Sequence, residues 1–485
     1  MARTGSEYVE GLRDNRTVWL GGDRVSVTED AALAGSVRGM AGYFDWQHRY
    51  ADDCLVDNPA VDAVTNACLL LPRSADDLQK RHRSFDRIAR YSRGMLGRTP
   101  DYVQTVLSGF AARDDSFISH GDRRYADRVI SYHREVAQKD LSLTHAIILP
   151  AIDKSISPVE GVNGDIALKV TARKSDRLVV TGARVLATKA PFADEVFVYP
   201  AHPLPPGSPE SFAIAFSVPI ASPGVHVVCR DHTGLDEPPA DRPFSSRFDE
   251  QDAYMIFDEV EVPMERVFID GDADVYGKIL TWGWASNVLQ QTTIRAAVKL
   301  EFIYDLCVRI AELTNSRRKP DVAAMLGEMR SYGILTRAAL KAAEDGAFEH
   351  GNGAFFLDPA PVRAIKNFMP AWMARANDIV ISLSSHNLLC TPSGELFDNA
   401  EVAELVEKML PGANGIGARE RVRVFRTAWD LVGSALGARV SLYERYYLAS
   451  QHTNFVLEAK IAEKERTENA LDEFFAELDG FARDG

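Results

Sequence analysis

The 485-residue chain contains little cysteine and no closely spaced cysteine pair. The five cysteines are scattered along the chain, at Cys54, Cys68, Cys229, Cys307 and Cys390. An odd number without a C-x-x-C spacing excludes a disulfide-stapled miniprotein and favours reduced, mostly buried thiols. We therefore expect a cytoplasmic protein.

Long apolar runs are also missing from the sequence. The longest, such as residues 146–152, are far too short to cross a bilayer. Charged residues interrupt the first twenty positions, so they do not form the apolar core of a signal peptide. The sequence predicts no membrane partner.

Positive charge is scarce relative to negative charge. The chain has 55 Lys and Arg against 69 Asp and Glu, a net charge of −14. Phosphate repels a chain of this charge, which argues against nucleic acid as a partner. An anionic ligand must therefore be held by local positive groups.

Several motifs that carry well-known chemistry are absent. No G-x-G-x-x-G follows a strand, and no Walker A loop, H-E-x-x-H, EF-hand loop or G-x-S-x-G occurs. The glycine-rich stretch 412–420 has the wrong spacing and predicts a loop followed by a helix start. A nicotinamide-binding Rossmann enzyme and a serine hydrolase are thus disfavoured.

What is present is a change of hydrophobic period at two places. Residues 1–137 are mainly helical, with helices over 30–50, 74–96 and 122–138 and a strand pair at 18–20 and 24–27. Residues 138–268 alternate as strands at 166–171, 177–188, 195–199, 212–218, 224–229 and 254–262. Residues 269–485 return to helices over 278–313, 319–348, 359–385, 398–408, 416–449 and 454–480. The pattern predicts three domains with these limits, in which a β segment lies against helices and leaves a crevice for a ligand.

The hexapeptide GRTPDY at 97–102 is the first candidate site. Thr99 is a suitable cap for a helix beginning at Pro100, which places Asp101 in the first turn. Arg98 and Tyr102 can then face the same space, and together with the positive helix end they suit a small oxyanion. The alternative interpretation is an ordinary helix start with a surface arginine and a packed tyrosine.

Two further segments stand out around single polar residues. LTHAIILPAIDK at 143–154 places His145 in an apolar stretch, and TGARVLATKAP at 181–191 ends a strand in small and hydroxyl residues. Each has an ordinary structural explanation, as a satisfied core histidine or as a strand end.

Taken together, five segments resemble one family in order along nearly the whole chain. They are GRTPDY, THAIILPAIDK, TGARVLATKAPFADE, SSRFDEQDAYMIFDEVEVPMERV (245–267) and WDLVGSALGARVSLYERYYLASQ (429–451). The chain is similar to the large (oxygenase) component of 4-hydroxyphenylacetate 3-monooxygenase, one of the two-component FADH2-dependent aromatic hydroxylases.

The resemblance implies an α+β, mainly α fold of the acyl-CoA dehydrogenase type. It has an N-terminal helical domain, a central β-barrel or sandwich domain and a C-terminal four-helix bundle with a tail. It also implies a homotetramer, FAD used as FADH2, O2 as co-substrate, and a separate NAD(P)H:flavin reductase as partner.

For the substrate, the resemblance implies that Arg98, Tyr102 and His145 bind a phenol hydroxyl. A flavin C4a-hydroperoxide is attacked more readily by a phenolate than by a phenol, whose free pKa is about 10. Arg98 would stabilise the anion, His145 would accept the proton and Tyr102 would orient the ring oxygen.

For the flavin, the resemblance implies three contacting segments besides the strand-end residue Thr188. They are His145, Ala146 and Ile147; Ala151, Ile152, Asp153 and Lys154; and Leu448, Ala449, Ser450 and Gln451. Leu448-Ala449 departs from the Ala-Gly that is more common in the family. The turn at 437–439 is a further candidate for contact with the pyrophosphate, and the proline-rich 202–211 segment is either a lid or a rigid connection.

Two other functions stay open. One is a flavoprotein like 4-hydroxybutyryl-CoA dehydratase, which also binds an iron–sulfur cluster through three Cys and a His. The other is a flavin-binding relative without catalytic activity. The substrate is a phenol such as hydroxyphenylacetate or a tyrosine derivative, either free or tethered to a carrier protein, and no metal site is expected.

Overall fold

The computed structural model describes residues 2–234, 238–281, 283–465 and 469–481. Within these ranges, no helix combines the length and the apolar character needed to cross a membrane.

The N-terminal part consists mainly of helices. Its elements are α1 (Gly5–Gly11), β1 (Thr17–Leu20), β2 (Asp23–Val25), α2 (Ala31–Arg49), α3 (Ala51–Cys54), β3 (Leu55–Asn58), β4 (Ala63–Asn66), α4 (Ala75–Ser92), α5 (Pro100–Ala112) and α6 (Arg124–Lys139). The three predicted helices and the predicted strand pair are found. The hairpin β3–β4 was not predicted, because strands of four residues are too short to show a period of two.

The central part forms two sheets. Its elements are β5 (Leu143–Ala146), α7 (Gly161–Ile166), β6 (Lys169–Arg173), β7 (Arg177–Thr188), β8 (Glu195–Val198), β9 (Ile214–Pro219), β10 (Val225–Cys229), β11 (Asp252–Pro263) and β12 (Val267–Asp270). The six-stranded sheet has the order β2-β1-β10-β11-β7-β6, and the four-stranded sheet has the order β12-β9-β8-β5. The strand predicted over 166–171 is β6, which begins at Lys169 because α7 occupies the chain up to Ile166.

The two sheets enclose an apolar core. Phe216 of the smaller sheet meets Phe257 of the larger one edge-on, with 5.8 Å between ring centroids. Burial alternates along β11, where Met255, Phe257 and Val260 face inward. β1 pairs in parallel with β10, so a strand from the N-terminal part extends the central sheet.

The C-terminal part is a helical bundle. Its elements are α8 (Ala273–Lys278), α9 (Trp284–Leu313), α10 (Pro320–Asp345), β13 (Phe348–Glu349), β14 (Phe355–Phe356), α11 (Pro359–Ser384), α12 (Asn387–Cys390), α13 (Ala403–Met409), α14 (Ala418–Val432), α15 (Ala435–Tyr446), α16 (Gln451–Glu465) and α17 (Ala470–Phe481). The long helix α9 packs against α10, α11 and α14 on one side and against α4 and α5 on the other. This arrangement confirms the predicted α+β, mainly α class.

Four predicted helices have different limits. The 416–449 helix is two helices that separate at Gly433, because Ser434 accepts a hydrogen bond from the Gly437 N–H and starts α15 anew. The 278–313 helix begins only at Trp284, and the 398–408 helix begins at Ala403. The helix predicted over 454–480 corresponds to α16 and α17, and residues 466–468 lie outside the described part of the chain.

Candidate functional site

The start of α5 carries the first two candidate residues. Thr99 is the N-cap residue and Pro100 the first helical residue, as predicted, but the Thr99 side chain makes no capping hydrogen bond. Its hydroxyl instead donates to the carboxylate of Asp101, and Gln291 of α9 donates to the same hydroxyl over 3.2 Å. Burial raises the pKa of Asp101 to about 6, although the Thr99 hydroxyl opposes the shift.

The loop before α5 is packed very closely against the bundle. A Cβ atom at Gly97 would lie 2.2 Å from the ring of Tyr443 in α15. A Cβ atom at Gly94, whose φ is +74°, would lie 2.7 Å from Cβ of Lys299 in α9. Glycine is required at both positions, since any side chain would push this loop away from the bundle.

Arg98 lies between the β part and the bundle. The residue is 5% exposed, and its guanidinium carbon lies 3.9 Å from the ring centroid of Tyr102. Nη2 donates to the Tyr447 carbonyl over 3.3 Å, whereas the buried Nε and Nη1 have no hydrogen-bond partner in the part of the chain that the structure describes. Buried guanidinium donors are normally bonded, so two free ones indicate a place for an anionic or polar ligand.

His145 comes to the same place from β5. Its ring centroid lies 5.8 Å from that of Tyr102, and its buried Nδ1 has no hydrogen-bond partner within the described ranges. Burial lowers the pKa of His145 well below its usual value, and the positive charges of Arg98 and Lys189 lower it further. The imidazole is therefore neutral at pH 7, which makes it a hydrogen-bonding group and a weaker proton acceptor than an ordinary histidine.

Tyr102 completes the group of three. Burial raises its pKa, and although the charge of Arg98 opposes this shift, the phenol stays protonated at neutral pH. The structure thus brings Arg98, Tyr102 and His145 together, although 43 residues separate the last two in the sequence.

The expected flavin residues next to His145 occupy two different environments. Ala146 is buried, and the Ile147 carbonyl accepts a hydrogen bond from Nη1 of Arg184 over 3.1 Å. Ala151, Ile152, Asp153 and Lys154 lie on an exposed loop. Asn163 holds this loop, because its Oδ1 accepts from the backbone N–H groups of Ile152 and Asp153.

The segment 448–451 joins α15 to α16. Leu448 and Ala449 border a cavity formed by α9, α11 and the ends of α15 and α16, lined by Thr292, Thr293, Ala296, Ile365, Lys366, Met369, Pro370, Glu444, Tyr447, Leu448, Ala449 and Asn454. Ala449 has φ +70°, Ser450 precedes α16, and Gln451 donates to the Asn367 carbonyl over 3.1 Å. Since Tyr447 also binds Arg98, this loop lies next to the group of three.

A buried network that the sequence did not reveal connects these parts. Glu250 accepts the backbone N–H of Arg98 on one carboxylate oxygen and binds Arg439 of α15 over 2.7 Å through the other. Arg439 also binds Asp252, which accepts a hydrogen bond from Thr188 over 2.8 Å. Residues 437–439 lie within α15 rather than in a turn, and Arg439 is paired with both carboxylates. Their contact with a pyrophosphate stays a prediction. The only sequence signal for this network was the run of acids in RFDEQDAY.

A second buried ion-pair cluster that the sequence did not reveal lies on the bundle side of the site. Arg295 and Lys299 of α9 both bind Glu444 of α15, with N–O distances of 2.7 and 2.8 Å. Arg295 also donates to the Gly94 carbonyl over 2.8 Å. Burial disfavours the charge of Glu444, but Arg295 and Lys299 outweigh it and lower the pKa of this carboxyl to about 2.

The proline-rich 202–211 segment begins shortly after Tyr199. Leu204 packs against a small buried cluster of Val159, Ala167 and Phe212. At Leu204, this contact favours the interpretation of the segment as a rigid connection rather than a lid.

Comparison with known proteins gives the family. Residues 4–269 match the model of the 4-hydroxyphenylacetate 3-hydroxylase N terminal region, and residues 281–476 match that of its C terminal region. The fold is that of this class of protein. The chain belongs to the 4-hydroxyphenylacetate 3-hydroxylase family.

Two curated relatives show how far the similarity extends. The 4-hydroxyphenylacetate 3-monooxygenase oxygenase component of Thermus thermophilus is 33% identical over 452 residues, 92% of each chain. A Streptomyces globisporus monooxygenase of (3S)-3-amino-3-(3-chloro-4-hydroxyphenyl)propanoyl-[peptidyl-carrier protein] is 34% identical, over 95% of this chain and 87% of its own.

A solved structure agrees with this assignment. The oxygenase component of 4-hydroxyphenylacetate 3-monooxygenase complexed with FAD and 4-hydroxyphenylacetate superposes with a TM-score of 0.90 and 30% identity. The match covers 100% of this chain and 99% of that one.

The cysteines argue against the dehydratase-like alternative. Cys54, Cys68 and Cys307 are buried, Cys390 is exposed, and Cys229 lies on a strand of the β part. In the described ranges, no three His, Cys, Asp or Glu residues are grouped so that they could hold a metal ion.

Proposed function

We propose that this protein is the oxygenase component of a two-component system that hydroxylates a phenolic substrate next to its hydroxyl group. The observation that carries the proposal is the buried Arg98 guanidinium, which has two unused donors beside Tyr102 and His145. An anionic oxygen is the ligand that such a group of donors fits best.

The residues favour the phenolate form of the substrate. A fixed positive charge in a buried site lowers the pKa of a nearby phenol, because it stabilises the anion where water cannot screen it. Arg98 supplies that charge. The neutral His145 accepts the hydroxyl proton or a hydrogen bond, and it gains basicity once a negative oxygen lies beside it. Tyr102 orients the oxygen as a protonated donor.

The chain also fits a flavin. His145, Ala146, Ile147, Ala151, Ile152, Asp153, Lys154, Thr188, Leu448, Ala449, Ser450 and Gln451 would hold it. The unpartnered polar atoms near His145 support this assignment. When bound, reduced FAD would supply, together with O2, the electrophilic oxygen. The buried aromatic residues around His145 would keep water away from it.

The partners follow from the same proposal. FADH2 would come from a separate NAD(P)H:flavin reductase, since no dinucleotide-binding motif occurs in the sequence. The substrate is a small phenol, or a tyrosine derivative on a carrier protein as in the Streptomyces relative. A homotetramer is supported by exposed apolar side chains on α16 and α17, and a cytoplasmic location by five free thiols.

A single-turnover experiment tests this function. The protein is mixed with chemically reduced FAD, ¹⁸O2 and a panel of phenols, and the products are analysed by mass spectrometry. We expect a catechol that carries one ¹⁸O atom, and no product when NADH replaces reduced FAD. Failure of every phenol to give a labelled catechol would contradict the proposal, as would turnover with NADH alone.

A further inference from the structure

Tyr199 is a buried tyrosine beside the group of three that the sequence did not single out. It directly follows β8 and is 2% exposed. Its ring lies 6.1 Å from the His145 ring, 5.6 Å from Phe110 and 4.9 Å from Phe197, measured between centroids. These contacts hold the ring against the wall formed by α5 and β8.

Among the described residues, the Tyr199 hydroxyl has no hydrogen-bond partner although it is buried. Two other buried tyrosines are bonded: Tyr8 donates to the Phe192 carbonyl over 2.6 Å, and Tyr132 lies 2.6 Å from Ser217 Oγ. The Tyr443 hydroxyl, which also lies near Arg98, shares the unpartnered state of Tyr199 among the described residues. Buried hydroxyls are bonded in the great majority of cases, so an unused one beside other unused groups indicates a shared ligand.

The unused groups are neighbours. Nε and Nη1 of Arg98, Nδ1 of His145 and the Tyr199 hydroxyl all lack partners, and His145 lies between Tyr102 and Tyr199. Tyr199 also interacts electrostatically with Arg98 and Tyr102. The polar ends of these residues therefore face one region.

We propose that the Tyr199 hydroxyl donates a hydrogen bond to the substrate's phenolate oxygen, as a further substrate-binding residue beside Arg98 and His145. This inference rests on the proposed function. The hydroxyl acts as a donor because burial, together with Tyr102, raises the pKa of Tyr199 well above its usual value, against the opposing charge of Arg98. An oxygen anion accepts several hydrogen bonds, so a neutral donor adds to the charged one.

The test uses 4-nitrophenol, whose absorption distinguishes phenol from phenolate, and flavin-free protein. Titrations of wild type and Tyr199→Phe give the affinity for the phenolate. We expect Tyr199→Phe to bind it about 3- to 10-fold more weakly, the loss typical of one hydrogen bond. Binding of 4-nitroanisole, which has no ionisable hydroxyl, should be equal in both proteins.

A matched control is Tyr125→Phe in α6. This substitution also removes one tyrosine hydroxyl, which donates to the Asp270 carbonyl over 3.3 Å. It should leave nitrophenolate binding unchanged. Phenylalanine at position 199 keeps the ring contacts with Phe110 and Phe197, and a thermal unfolding scan checks that the fold is retained.

The outcomes separate the two claims. Equal nitrophenolate affinity in Tyr199→Phe and wild type would overturn the role of Tyr199 and leave the proposed function intact, provided that wild type binds phenolate and hydroxylates. An equal loss for nitroanisole would also overturn it, because the effect would then concern packing rather than the oxygen. If wild type shows no preference for phenolate over phenol, the proposed function itself fails.

Discussion

At the scale of single residues, Arg98 contrasts with two arginines that contact the same Tyr443 ring. Arg295 and Arg439 use their donors on carboxylates. Arg98 contacts aromatic faces and one carbonyl, so its positive charge is not neutralised by an acid. A buried and uncompensated cation is costly, and a bound anion relieves that cost.

Substitution of Arg98 tests this reasoning. Arg98→Ala should lower kcat/KM for the phenol about 10- to 100-fold, the value of a charge-assisted hydrogen bond, while reduced FAD still binds. Arg98→Lys should recover part of the loss, because the charge remains but the planar fork of donors does not. The measurements are kcat/KM and fluorescence titration with reduced FAD.

The exposed Arg124 provides the control for Arg98. Arg124→Ala removes a guanidinium that pairs only with nearby surface acids, so kcat/KM should not change. Wild-type kcat/KM in Arg98→Ala would show that the guanidinium takes no part in the reaction.

At the scale of elements, the position of Arg98 depends on the contact between β11 and α15. Glu250 lies two residues before β11 and binds both the Arg98 backbone N–H and the Arg439 side chain. Thr188 reaches the same network through Asp252, so the strand that carries an expected flavin contact and the helix start that carries Arg98 are held by one set of ion pairs.

Glu250→Gln should therefore disturb the site without touching substrate. Removal of one partner of a buried ion pair lowers the free energy of unfolding by about 3 kcal/mol. We expect KM for the phenol to rise and nitrophenolate binding to weaken, because Arg98 shifts while its charge remains. Steady-state kinetics and urea unfolding provide the measurements.

Glu261→Gln, at the exposed end of β11, is the matched control. Its ion pairs with Lys174 and Arg177 are on the surface, so its effect on stability should be small. If Glu250→Gln lowered stability but left KM and nitrophenolate binding unchanged, Glu250 would be structural only.

The packing of α6 against α5 predicts a dependence of stability on pH. Burial lowers the pKa of His133 to about 4, and the charge of Arg134 also acts against protonation. In the unfolded chain the pKa of His133 has its ordinary value near 6.5. As the pH falls, the unfolded chain therefore binds the extra proton before the folded chain does. The contribution of neutral His133 to the free energy of unfolding is complete above pH 6.5. It decreases by about 3 kcal/mol as the pH falls towards 4.

His133→Gln should flatten this dependence. Glutamine keeps a donor for the Leu69 carbonyl, which lies 2.9 Å from Nε2 of His133, but it cannot be protonated. Urea unfolding at several pH values between 7 and 4 should give a shallower slope than wild type. The control variant His452→Gln, at an exposed position, should show the wild-type dependence of unfolding free energy on pH. If both variants gave the same slope, His133 would not be the cause of the dependence.

The elements also show what the sequence could predict. Long helices and the strands over 177–188 and 254–262 were recovered, because each contains enough residues to show its period. The GRTPDY and THAIILP segments identified Arg98, Tyr102 and His145. Glu250, Asp252, Arg439 and Tyr199 were missed, because their importance arises only from contacts between residues that are distant in sequence.

At the scale of the whole molecule, the C-terminal helices present apolar side chains to the outside. Leu471, Phe474, Phe475 and Leu478 of α17 are each about half exposed, as are Phe455, Val456 and Leu457 of α16. Apolar patches of this kind mark interaction sites, and a second copy of the chain is the partner that the proposed tetramer supplies.

Light scattering tests the tetramer. The wild-type mass should be about four times 53.6 kDa. Phe474→Glu with Phe475→Glu should lower the mass, because charges in an apolar interface are costly. Glu477→Gln on the same helix should not. A tetramer that persists in the double variant would place the interface elsewhere.

The close contact of Gly97 with the Tyr443 ring has a consequence for how the pocket can diverge. The wall made by α15 supports the arginine loop directly, so room for a bulkier phenol cannot be gained there without displacing Arg98. The proline-rich segment after Tyr199 belongs to the β part, where its Leu204 packs against Val159, Ala167 and Phe212. Natural or designed changes of substrate range should therefore accumulate on that side.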